Sequence, residues 1–102
     1  LESHPGHEIA ARQMHGGFGG IVSVQLAAGA EAAKHFVDHT QIFTLAESLG
    51  GVESLIEVPA AMTHASVAGT TLQVPANLVR ISVGIENADD LIADLKQALD
   101  RI

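Results

Sequence analysis

At 102 residues with 47% hydrophobic content, the chain is long enough for one domain with a modest core and too apolar to be disordered. A formal charge of -7, five Lys plus Arg against twelve Asp plus Glu, and only 3% aromatics exclude a basic, ring-lined nucleic-acid surface. The lack of cysteine removes disulfides, thiolate chemistry and Cys-based zinc sites, and no apolar run approaches the length that crosses a bilayer. No signal peptide is legible, and the cysteine usage fits a cytoplasmic protein. The chain opens on Leu1 rather than Met, as a processed product or a piece of something longer would.

Leu1 to Pro5 leads in, with His4-Pro5 forcing an extended bend. His7 to His15 has helical character, with Ile9, Ala10, Gln13 and Met14 on one face. Gly16-Gly17-Phe18-Gly19-Gly20 ends it. A strand follows those glycines rather than a helix, which argues against a phosphate loop and for a flexible joint. Ile21 to Ala27 is that strand, with Val22, Val24 and Leu26 opposite Ser23 and Gln25. Ala30 to His39 is a helix whose inner face is Ala33, Phe36 and Val37, while Glu31, His35 and His39 run down the other side. Gln41 to Ala46 and Glu53 to Val58 read as further strands, the second stopped by Pro59. Between them lies the polar turn Glu47-Ser48-Leu49-Gly50-Gly51, and Ala60 to Pro75 is mostly loop.

Leu78 to Ile85 alternates most cleanly. Val79, Ile81, Val83 and Ile85 face one way; Arg80, Ser82, Gly84 and Glu86 face the other. Asn87 then caps a last helix, with Asp89 and Asp90 at the positive end of its dipole and Lys96 and Arg101 towards the negative end. Its stripe is Leu91, Ile92, Leu95, Leu99 and Ile102. The order predicts an α+β domain: a small, mostly antiparallel sheet of about four strands with helices packed on one face.

Arg80 is the leading candidate functional residue. A guanidinium in mid-strand is held in place and suits bidentate capture of a carboxylate or phosphate. The plainer reading, which spacing alone favours, is a pair with a nearby Asp or Glu. The 47–51 turn offers backbone N–H groups and the Ser48 hydroxyl, which together with Arg80 could hold a carboxylate from two sides. A hydrolase built on Ser48 with His64 or His39 as base lacks the Gly-x-Ser-x-Gly elbow, and Thr63-His64 reads better as a loop with a local hydrogen bond. His35 and His39 have zinc-compatible spacing but no evident third ligand, so Glu31 and His35 read as an ordinary helix pair and no metal site is expected.

Three stretches carry a resemblance: Leu45 to Ile56, Pro59 to His64, and Leu78 to Glu86, with Asp89 to Leu95 agreeing. Together they resemble the Cys/Met-metabolism family of pyridoxal-phosphate enzymes, in register from about His4 to the end and with the nearest likeness to the cystathionine γ-synthases, then the γ-lyases. Departures fall at Val58, where the family commonly has His, at Thr70 to Pro75, and at an extra glycine near Gly16-Gly17. The resemblance implies that residues 1–102 form the C-terminal domain of such an enzyme, covering the active site of a larger cofactor domain. It implies that Arg80 holds the α-carboxylate of an amino-acid substrate, assisted by Ser48, with Glu47 towards the distal end of the substrate and Leu49 beside them. The whole enzyme would join an O-acylhomoserine to cysteine to give cystathionine. Lys34 and Lys96 match no Schiff-base motif, so the pyridoxal 5'-phosphate lysine is expected in the PLP-binding domain that this chain lacks, and the chain alone is expected to be inactive. A γ-lyase or O-acylhomoserine sulfhydrylase domain, or a free-standing non-catalytic module that forms homo-oligomers through exposed sheet edges, are the competing readings.

Overall fold

The computed structural model describes residues 1–62 and 65–102. Thr63 and His64, the latter a candidate base for Ser48, lie outside them. In chain order the elements are α1 (His7–Gln13), β1 (Ile21–Gln25), α2 (Ala30–Asp38), β2 (Thr44–Leu45), β3 (Leu55–Glu57), α3 (Pro59–Met62), β4 (Leu78–Ser82) and α4 (Ala88–Leu99), with a short 3-10 turn over Ala65–Val67. The strands form one sheet in the order β1-β4-β3-β2. β4 runs antiparallel to both β1 and β3, while β2 and β3 are parallel. This is the expected α+β arrangement.

Register sorts the side chains. Val79 lies opposite Val24, and Ile81 lies between Val22 and Ile56. These residues face α2 and α4, where Ala33, Phe36, Val37, Leu91 and Ala98 close the core with Phe43 and Val58. Ala33, Val79 and Ala98 are completely buried. Small residues on both helices let them approach each other and the sheet, a need in a core with so few rings. Gly29 opens α2 at φ 95°, a conformation that favours glycine, and Thr40 closes it with its hydroxyl 2.8 Å from the Phe43 carbonyl oxygen and 3.1 Å from that of Val37, which share its one proton. At its surface Glu31 pairs with Lys34 at 2.8 Å rather than with His35, and both side chains are more than half exposed, so the pair contributes little.

The last helix is turned relative to the expected stripe. Its buried residues are Leu91, Asp94 and Ala98, with Leu95 packed alongside; Ile92 is 63% exposed, and Leu99 and Ile102 are 44% exposed. The cause is Asp94. Its carboxylate points inward and accepts hydrogen bonds from the backbone N–H groups of Gln41, Ile42 and Phe43 at 2.7, 2.7 and 3.0 Å, and from Gln97. Burial pushes its pKa up, but these donors together outweigh that and hold it below the usual carboxylate value. The same bonds shorten β2, because the amides of residues 41–43 turn to Asp94 instead of a neighbouring strand.

Other differences are local. β4 ends at Ser82, leaving Val83 40% and Ile85 82% exposed instead of in the core. Pro59 stops β3 as expected but then opens α3, where its missing N–H is not needed. α1 ends at Gln13 and buries no residue, so Ile9 and Met14 stay on the surface.

Candidate functional site

The sheet face turned away from α2 and α4 carries the candidate residues. One row across it is Ser23, Arg80 and Glu57; the next is Ile21, Ser82 and Leu55. Arg80 is therefore where alternation placed it, on the polar side of β4. Its Nη2 lies 2.9 Å from Oε1 of Glu57, its cross-strand partner. The plain reading of Arg80 is thus realised, with an acid that the sequence did not single out. Glu57 is unusual company: the residue is 1% exposed, whereas the Arg80 side chain keeps 17% of its surface. A buried acid holds one edge of a guanidinium that still reaches solvent.

Two further polar groups hold the stretch that follows β2, one within the 47–51 turn and one at Ser54. The Gly50 N–H donates to Ser82 Oγ at 2.8 Å, one pleat along β4 from Arg80. This anchors the turn over the sheet, and it commits one of the glycine N–H groups that the turn had offered for ligand binding. Further along, Glu86 accepts from the Ser54 N–H at 2.8 Å and from Ser54 Oγ at 2.7 Å. Ser54 Oγ accepts in turn from the Gly84 N–H at 2.9 Å, and Ile85 N–H donates to the Val52 carbonyl. The Ser54 donors hold the Glu86 carboxyl below its usual pKa. Gly84 is required here: a Cβ would meet the Val52 carbonyl oxygen and stand 2.7 Å from the Glu53 carbonyl carbon. Ser54 and Ser82 are buried with their hydroxyls satisfied, as buried polar groups must be.

Glu47, Ser48 and Leu49 sit on the outer side of this tethered turn, all exposed. They directly precede the Gly50 N–H that is bonded to Ser82. His39 does not join them: it ends α2 on the helix-covered side, with Nδ1 2.6 Å from the His35 carbonyl oxygen. Sequence reasoning missed Glu57, Ser54 and Ser82. For Ser82 the signal was its place beside Arg80 on the polar side of β4; Ser54 and Glu57 flank Leu55-Ile56 with no alternation to mark them.

A guanidinium with one edge held by an acid has chemistry suited to an anion at its other edge. The chain's two lysines lie on helices α2 and α4 instead. Lys34 is 54% exposed and bonded to Glu31, and Lys96 is exposed on α4. Among the described residues no three His, Asp or Glu side chains gather to hold a metal.

Residues 1–100 match the model of the Cys/Met metabolism PLP-dependent enzyme family. The chain is 65% identical over 100 residues to a cystathionine gamma-synthase of Mycobacterium leprae, covering 98% of this chain and 26% of that protein. It is 53% identical over 104 residues to a cystathionine beta-lyase of Lactococcus lactis, covering 99% and 27%. The crystal structure of MetB from Corynebacterium glutamicum superposes with a TM-score of 0.93 at 60% identity, over 99% of this chain and 26% of that one. The chain thus spans about a quarter of the length of the relatives it matches. On the match over nearly every residue, the chain belongs to the Cys/Met metabolism family of PLP-dependent enzymes.

Proposed function

We propose that residues 1–102 are the substrate-carboxylate-binding, C-terminal domain of a cytoplasmic cystathionine γ-synthase-like enzyme. In that enzyme an O-acylhomoserine and cysteine give cystathionine. Arg80 receives the α-carboxylate, Ser48 assists from its turn, and Glu47 and Leu49 border the rest of the substrate. The supporting observation is the fixed guanidinium of Arg80, held by Glu57 on the same sheet face to which Ser82 ties the 47–51 turn. A planar fork gripped on one edge is oriented for an incoming carboxylate on another. Pyridoxal phosphate, supplied by the part of the enzyme outside this segment, provides the electron sink for the chemistry. This segment's residues bind and orient.

The test is a full-length enzyme in which residues 1–102 replace the matching quarter of Corynebacterium MetB. Arg80→Ala should lower kcat/KM by about thirtyfold or more, the loss expected when one partner of a desolvated charge pair is removed. Undiminished kcat/KM with normal folding would sink the assignment. Comparing cystathionine synthesis with cystathionine cleavage in the same enzyme separates the synthase reading from the γ-lyase reading, and replacing cysteine by sulfide tests the sulfhydrylase reading.

A second reading, self-association of the 102-residue chain, draws on β1. It is an edge strand with Ile21 43% and Val22 44% exposed, preceded by Phe18 at 54%. Sedimentation as a monomer across a concentration series removes it.

A further inference from the structure

We propose that Glu57 is a positioning residue for substrate recognition: it aims the Arg80 guanidinium at the substrate carboxylate and, by its charge, loosens that grip. This rests on the carboxylate-binding role of Arg80. Three observations carry it. Glu57 is the most deeply buried acid, at 1% exposure, in a three-residue strand that is otherwise Leu and Ile. It lies directly opposite Arg80 in the sheet, with Oε1 2.9 Å from Nη2. The Arg80 side chain it holds remains 17% exposed beside the tethered 47–51 turn.

Burying an ion pair is a poor route to stability, because desolvation of both charges offsets their attraction. Replacing both partners by apolar residues is often neutral, whereas removing one leaves the other charge unpaired. Towards Arg80 the carboxylate supplies geometry. A guanidinium bonded through Nη2 is restrained about its long stem, so its other edge meets a carboxylate at a smaller entropic cost. The same negative charge repels the incoming carboxylate. Positioning and repulsion act in opposite directions on binding, and two substitutions separate them. Glu57→Gln removes the charge but keeps an acceptor for Nη2. Glu57→Leu removes both.

In the full-length enzyme described above, E57Q should lower KM for the amino-acid substrate several-fold with kcat held within about threefold, since a nearby like charge is gone. E57L should lower kcat/KM at least about tenfold relative to E57Q, since the two variants carry the same charge and differ in the grip on Nη2. Equal kcat/KM in E57Q and E57L overturns the positioning role. Where E57L does not fold, E57Q decides alone, and a KM that rises, or a tenfold loss of kcat/KM, overturns the proposal. R80A is the control. If it leaves kcat/KM intact, the carboxylate-binding reading itself fails; if it collapses kcat/KM while neither Glu57 variant changes the kinetics, only the role of Glu57 fails.

Discussion

Asp94→Asn removes one oxygen from the group that joins α4 to residues 41–43. In the native chain Oδ1 accepts from Gln41 N–H and Gln97, and Oδ2 accepts from Ile42 N–H at 2.7 Å and Phe43 N–H at 3.0 Å. Asparagine keeps one acceptor and sets an NH2 group against two of these donors. Phe43 is 2% exposed, so its N–H gets no water in exchange; Ile42 is 36% exposed and recovers part of its loss. Counting one full and one partial unsatisfied donor, less the relief of a buried charge, gives a loss of about 3 kcal/mol. In a domain of this size that is a fall in Tm of about 12 °C or more. Urea unfolding followed by far-UV circular dichroism measures it, since the chain has neither Trp nor Tyr. The pH dependence supplies a second arm. The folded-state pKa of Asp94 is depressed, so its contribution is complete above the unfolded value of about 3.9 and is lost as pH falls from there through the lower folded value. The native chain should therefore lose its advantage over D94N progressively as pH falls below about 4. A difference under about 1 kcal/mol at pH 7, or one that does not narrow in acid, refutes the reasoning.

Gly84→Ala should destabilise by about 2 kcal/mol, because its Cβ meets backbone rather than a movable side chain, and a urea midpoint reads this directly. Asn87→Ala removes the acceptor for the Asp89 and Asp90 N–H groups and should lose about 1 kcal/mol in the same assay. On the turned helix, Leu91→Ala should lose about 2 to 5 kcal/mol while Ile92→Ser stays within about 0.5 kcal/mol. Equal effects at those neighbours would restore the stripe expected from spacing.

The contrast between Leu91 and Ile92 shows what could be read in advance. Alternation in β4 separated Val79 and Ile81 from Arg80 and Ser82 correctly, because period two is a local property. The cap at Asn87 was legible for the same reason. Asp94 was not. A carboxylate in an amphipathic helix reads as solvent-facing, and its partners lie more than fifty positions away. That long-range link rotated α4 and shortened β2 in one step. The site divides likewise. Arg80 was legible by its face, and its need of an acid by its charge. Which acid it takes depends on the β3–β4 register, which residues 55–57 do not announce.

β2 and β3 lie side by side and parallel, so the chain leaving Leu45 must travel back before it re-enters the sheet at Leu55. Such a return ordinarily takes about a dozen residues or more and often a helix. Here Ala46 to Ser54 make it without a helix, pinned at mid-course on Ser82 and at the far end on Glu86. The crossover is therefore a loop fixed at two points rather than a free one. Most surface loops absorb an inserted or deleted residue harmlessly. In this one the tethers at Gly50 and Ser54 keep their places, so a residue added or lost between Ala46 and Gly50 falls on Glu47 and Ser48. Substitutions along the loop can retune what it touches, whereas its residue count decides where Glu47 and Ser48 stand over the sheet.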